Sequence, residues 1–125
     1  MNHLLIVAAG GAIGAGLRHL TGLAALRLLG VNFPWGTLSV NIAGSFLMGV
    51  FIELLALKLN SSNELRLFVA TGMLGGFTTF SAFSLDVALL WERGAAMQAG
   101  AYIAASVLLS ILALFAGLGI VRALA

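Results

Sequence analysis

Charge is the first thing this sequence is short of. Of 125 residues, 8% are Asp, Glu, Lys or Arg and 62% are hydrophobic, with a mean hydropathy of +1.14. A soluble domain carries roughly 25% charged residues. The chain therefore has too little polar surface to cover a globule, and a bilayer is the solvent that fits. Cysteine is absent, which excludes a disulfide framework, a thiolate metal site and a cysteine nucleophile. The six basic and four acidic residues are scattered, with none of the clustering that a nucleic-acid surface needs. The histidines, His3 and His19, have no carboxylate or second ligand at useful spacing. The glycines of "GGAIGAG" lack both the spacing and the preceding strand of a dinucleotide fingerprint. The chain is read as a membrane protein and not an enzyme, without nucleic acid as a partner.

What is present is apolar sequence in long runs. A hydrocarbon core about 30 Å thick takes about 20 helical residues to cross. Four such stretches follow one another, approximately Leu4 to Leu29, Pro34 to Leu57, Glu64 to Trp91 and Ala95 to Val121. They predict an all-α integral membrane protein with a single four-helix transmembrane domain over residues 1–125. The opening "MNHLLIVAAGGAIGAG" lacks the Lys or Arg of a signal peptide and stays apolar beyond it, so it is read as the first span. The separators "GVNF", "KLNSSN" and "ERG" are short. Pro34 falls at a span start, where its missing N–H costs nothing, and Phe33, Trp35 and Trp91 lie at span ends as interfacial aromatics do.

The positive charges are nearly balanced between the two sides. Lys58, Arg66 and Arg122 fall on one side, and Arg27 and Arg93 on the other with Arg18 a turn or two inside. A marked excess on one side is usual. The balance predicts a dual-topology chain pairing as an antiparallel homodimer; a single orientation set by a weak signal is the alternative. Small residues in "AAGGAIGAG", with Ser45 and Gly49 in the second span and Gly117 and Gly119 in the fourth, suit close helix contact.

Thr37, Asn41 and Ser45 recur every fourth residue, as do Tyr102, Ser106 and Ser110. Each step of four drifts by only about 40°, so each set forms one polar face. These faces either line a polar path or bond to one another between helices. Asn41, with two donors and two acceptors to satisfy, is the stronger candidate. Glu53 and Asp86 lie close enough to span ends to snorkel or pair, and Glu64 and Glu92 are at boundaries, so no carboxylate sits near a midplane. Proton or cation pathways usually carry one there. A path of hydroxyls, an amide and aromatic edges, with Arg18 partway in, suits an anion.

The third span contains "GMLGGFTTFSAFSLD" at residues 72–86. Gly75 and Gly76, followed by Phe77, Thr78 and Thr79, form helix poorly and predict an interruption, where freed carbonyls and N–H groups can coordinate ions. A glycine kink for packing is the alternative. Phe80 and Phe83 then share a face and can turn their electropositive ring edges to an anion, with Ser81 and Ser84 about 100° away as hydroxyl donors.

These segments together resemble the Fluc (CrcB) family of fluoride channels along the whole chain. "GGAIGAGLRHL" is similar to its first-span motif ending in Arg, and "FPWGTLSVNIAGSFLMG" to its second-span signature with the pore Asn. "GMLGGFTTFSAF" is similar to its Gly-Gly-Phe-Thr-Thr-Phe-Ser-Thr-Phe run. The resemblance implies a dual-topology antiparallel homodimer with two pores, passively exporting fluoride across a bacterial plasma (inner) membrane, with lipid as its surroundings. It implies that Asn41, Phe80 and Phe83 line the pore, with Ser81, Thr37, Tyr102 and Ser106 as further polar positions and Arg18 in the vestibule. The carbonyls of Gly75 and Thr78 would hold a structural Na+ at the dimer centre. Ala82 departs from the family, which usually has Thr or Ser there, and removes one hydroxyl from the polar track. Two other classes fit the length and the spans: a small dual-topology multidrug exporter, which needs a first-span glutamate this chain lacks, and a structural subunit of a larger assembly.

Overall fold

The computed structural model describes residues 2–57 and 62–124. Lys58 and the centre of the second separator, which entered the charge balance above, lie outside the described residues. Among those described, there is no strand, and four helical stretches are long and apolar enough to cross a membrane.

Helix α1 spans His3–Leu29. The Asn2 side chain starts it by accepting from the Leu4 and Leu5 N–H groups at 2.9 and 3.4 Å, a regular N-cap. Gly30 ends it at a φ of 85°, a left-handed value that costs glycine nothing, and returns its N–H to the Leu26 carbonyl. Helix α2 spans Trp35–Leu57, directly after Pro34.

The third crossing, Asn63–Glu92, is compound. Ser62 caps a short α3, Asn63–Arg66. A π-helical segment, Leu67–Leu74, follows, and then α4, Gly75–Phe77. Thr78 (φ −88°, ψ 160°) and Thr79 (φ −155°, ψ 125°) are extended. Helix α5, Phe80–Glu92, begins with Thr79 as its N-cap. After Gly94, α6 spans Ala96–Leu124.

The glycine pair itself is helical, and the extended residues are the two threonines after it. Of the pair, Gly76 provides room, since a methyl group on it would press on the Gly11 carbonyl of α1, and one on Gly75 would not. The first span packs on the π-helical segment and α4, so closely that a methyl group on Gly10 would overlap the Phe68 carbonyl oxygen and one on Gly14 the Met73 carbonyl oxygen. π-helical turns have a wider, poorer hydrogen-bond geometry and are mostly brief; here the segment lies against this glycine face. The other main contact pairs α2 with α6. There Gly49 meets the Leu114 carbonyl and Gly117 the Phe46 carbonyl, whereas Gly119 faces open space.

Side-chain packing concentrates at one end, where Leu38, Phe83, Leu90, Ala99 and Tyr102 form a buried cluster joined by Phe33 and Val87. At the other end Arg122 of α6 grips Glu53 of α2, Nε to Oε2 at 2.9 Å and Nη2 to Oε1 at 3.2 Å. Glu53 is 7% exposed, and this two-pronged bond satisfies both of its oxygens.

Candidate functional site

The site is assembled around Thr79. Its N–H donates to Asn41 Oδ1 at 2.8 Å, and its carbonyl accepts from Asn41 Nδ2 at 3.0 Å. The α2 amide thus closes a two-bond ring with the extended peptide unit, replacing the helical bonds that this residue lacks. Its hydroxyl accepts from the Ala82 N–H at 3.1 Å and lies 3.3 Å from Ser81 Oγ. Thr78 Oγ1 folds back to the Leu74 carbonyl at 3.0 Å, which also takes the Thr78 N–H. Arg18 Nε reaches from α1 to the Gly76 carbonyl at 3.1 Å.

These bonds decide which backbone oxygens are left over. In a continuous helix the Thr79 N–H would go to Gly75 and the Ala82 N–H to Thr78. Both are diverted, one to Asn41 and the other to the Thr79 hydroxyl. Among the described residues the carbonyls of Gly75 and Thr78 therefore have no donor, and the extended backbone after Phe77 leaves its carbonyl without one too, while those of Leu74, Gly76 and Thr79 have donors. Uncharged carbonyl oxygens suit a hard cation.

Two open-sided grooves meet at Thr79. One, about 360 Å³, is lined by Arg18, His19, Thr37, Thr79 and Ala82 among others. The second, about 330 Å³, is lined by Asn41, Ser45, Thr79, Phe83, Ser106 and Ser110, with Phe80 at its side. The α2 stripe accordingly runs from Thr37 in the first groove to Ser45 in the second, past the Asn41–Thr79 ring. The α6 stripe is divided too. Tyr102 is fully buried and donates to Asp86 Oδ2 at 3.0 Å. Ser106 and Ser110 bury their hydroxyl oxygens in the second groove, and among the described residues neither completes a hydrogen bond, although Ser106 lies beside the Tyr102 phenol.

The two phenylalanines pack together, ring centroids 5.3 Å apart at 53°, but in different settings. Phe83 is 7% exposed and Phe80 75%. Phe83 continues to Tyr102 at 5.1 Å and from there to Phe33 at 5.4 Å, an aromatic stack that fixes its orientation. Ser81 is exposed, and Ser84 donates to its own helix at the Phe80 carbonyl, which leaves it little free donor capacity.

Arg18 and Thr37 thus line one groove, and Asn41, Phe80, Phe83 and Ser106 the other. Tyr102 is behind the wall, bonded to Asp86. Sequence reasoning gave Thr79 no individual role, although a Thr immediately before an apolar helical run is a start signal. It also gave Asp86 no partner, because Tyr102 lies on another helix.

Comparison with known proteins finds relatives along nearly the whole chain. The family model described as "CrcB-like protein, Camphor Resistance (CrcB)" matches residues 5–118. The chain is 66% identical over 124 residues to the fluoride-specific ion channel FluC of Chelativorans sp. (strain BNC1), covering 99% of each. It is 62% identical over 124 residues to the protein of the same name from Mesorhizobium japonicum, again covering 99% of each. The corresponding protein of Agrobacterium fabrum is 57% identical over 122 residues, 98% of each. With a match this long and relatives this similar from end to end, the chain belongs to the CrcB family.

Proposed function

We propose that this chain is a fluoride-selective channel that lets fluoride leave the cell passively, working as an antiparallel homodimer in the bacterial plasma membrane. The single observation that carries the reading is the pair of buried hydroxyls of Ser106 and Ser110, unpartnered among the described residues, in the groove that also holds Asn41 and Phe83. Buried polar groups are nearly always hydrogen-bonded. Two that are not, one turn apart and facing an amide and a ring, are donors waiting for an acceptor.

Fluoride is small and strongly hydrated, so entering the bilayer requires several replacement donors at once. The second groove provides the Ser106 and Ser110 hydroxyls, the second N–H of Asn41, which its bond to Thr79 leaves unused, and the edge of Phe83. None carries a full charge, so an ion can be held without being trapped, the balance that conduction requires. Arg18 in the first groove gives incoming anions the positive potential that concentrates them. Thr37 and Ser81 add hydroxyls at the approaches, and Tyr102, held by Asp86, supports the Phe83 ring from behind.

The homodimer is supported by the open sides of both grooves and by the exposed Phe80 ring, surfaces that a second copy would cover. Near-equal charge on the two sides favours an inverted partner. The interruption at Thr78 and Thr79 is read as the functional break of the third span, and the residues present fit a structural Na+. The freed carbonyls of Gly75 and Thr78, doubled by the second copy, would hold it. When bound, the ion would tie the two broken spans together electrostatically.

Fluoride and chloride efflux from proteoliposomes containing only this protein tests the function. Rapid fluoride release with chloride retained is expected; vesicles that hold fluoride as tightly as bare lipid would overturn it.

A further inference from the structure

The hydrogen bonds around Thr79 connect the anion path to the cation carbonyls, and they do so through particular side chains. We propose that Asn41 and the Thr79 hydroxyl are positioning residues for the cation: they create its ligands by taking away the N–H groups that would otherwise occupy them. The inference rests on the reading that Gly75 and Thr78 hold Na+, and adds what makes those carbonyls available.

A backbone N–H left without a partner away from water is costly, so Thr79 N–H and Ala82 N–H must each be satisfied somewhere. Helix continuation offers Gly75 and Thr78 as acceptors. Asn41 Oδ1 outcompetes the first at 2.8 Å and Thr79 Oγ1 the second at 3.1 Å. Asn41 Nδ2 adds a second bond, to the Thr79 carbonyl, which fixes the peptide plane so that its N–H cannot swing back. Arg18 occupies the Gly76 carbonyl between them, so its oxygen does not compete for a cation. Asn41 also lines the groove with Ser106 and Phe83. One amide therefore serves both ions: its oxygen maintains the cation ligands, and its remaining N–H is available to the anion.

The two duties separate by substitution. Asn41→Leu removes the acceptor, returning the Thr79 N–H to Gly75. Thr79→Val removes the hydroxyl, returning the Ala82 N–H to Thr78. Asn41→Asp keeps an oxygen toward the Thr79 N–H but places a negative charge in the anion path.

The test is the thermal unfolding midpoint of the purified full-length protein in detergent, followed by fluorescence of Trp35 and Trp91 while Na+ replaces N-methylglucamine at constant ionic strength. In the native protein Na+ should raise the midpoint in a saturable way, as any ligand of the folded state does. Asn41→Leu and Thr79→Val should each need about tenfold or more Na+ for half the rise. Asn41→Asp, which keeps the acceptor but gives up the bond to the Thr79 carbonyl, should need less Na+ than either of these variants, while its fluoride efflux collapses. Ser106→Ala, which touches none of these bonds, should keep the native Na+ requirement.

If the native protein gains nothing from Na+ beyond what K+ gives, the cation reading itself fails. If it does gain, and Asn41→Leu and Thr79→Val titrate at the native Na+ concentration, the positioning role alone is overturned. Should Asn41→Leu not fold, Thr79→Val and Asn41→Asp still decide, because an Asp variant that needs as much extra Na+ as the Val variant also contradicts the proposal.

Discussion

Removing the hydroxyl of Ser106 or Ser110 separates function from stability more cleanly than any other change in the molecule. Both oxygens are buried and without hydrogen-bond partners among the described residues, so neither contributes a bond to the fold described there. Leaving a buried polar group unsatisfied costs about 1–3 kcal/mol. Ser106→Ala and Ser110→Ala should therefore leave the unfolding midpoint unchanged or raise it, the opposite of most core substitutions. An ion passing the groove loses a donor to a charged acceptor, worth about 1.5–3 kcal/mol. If the hydroxyl acts where the ion's barrier is highest, efflux slows by about 10- to 150-fold, at 1.36 kcal/mol per decade. The double variant should lose less than the product of the two, since neighbouring donors on one ion are coupled. The assay is fluoride-electrode efflux from proteoliposomes at matched protein density, with unfolding followed in parallel. Native efflux in both variants, or efflux that falls only as the unfolding midpoint falls, would refute the reasoning.

Other expectations follow from the same geometry. Phe83→Ile and Phe80→Ile should each cut fluoride efflux while the elution position on size exclusion stays that of the native protein, with Phe83→Ile alone lowering the unfolding midpoint because Phe83 is buried and Phe80 exposed. Glu53→Gln breaks the two-pronged bond to Arg122 and should lower the unfolding midpoint with efflux per folded channel unchanged; an unaltered midpoint would mean that the bond contributes nothing. Gly14→Ala drives a methyl group into the Met73 carbonyl and should cost about 1–3 kcal/mol, the usual range for overpacking, read as a lower midpoint in a denaturation series. Ala82→Ser places a hydroxyl in the Arg18 groove and should speed efflux; slower or equal efflux would remove position 82 from the polar track.

The membrane class and the four crossings were determined by the sequence itself. A chain this poor in charge, with apolar runs of spanning length and short separators, has few other ways to satisfy its backbone in lipid. The polar stripes were equally legible, because a four-residue recurrence on a helix is a geometric fact whatever surrounds it. Tertiary structure decided which of those groups are occupied and which are spare. Tyr102, Ser106 and Ser110 look alike in sequence, but Tyr102 meets Asp86 from α5 whereas the two serines meet a groove. Phe80 and Phe83 look alike too, yet only Phe83 is stacked into the core.

The third crossing is the sharpest case. Helix propensity drew attention to the glycine pair, but Gly75 and Gly76 stay helical, and the extended residues are Thr78 and Thr79. The reason is that helix propensity differences are about 1 kcal/mol or less for these residues, and a pair of long-range hydrogen bonds outweighs them. Asn41, distant in sequence, offers the Thr79 peptide both an acceptor and a donor, and the Thr79 hydroxyl starts the next helix. Of the two, Gly76 serves instead to let α1 approach, whereas Gly75 has ordinary room around it. Composition and periodicity could identify the lipid-compatible elements, because those depend on each residue's own chemistry. The partner of Thr79 depended on which helices lie side by side, and that only the packed bundle could decide.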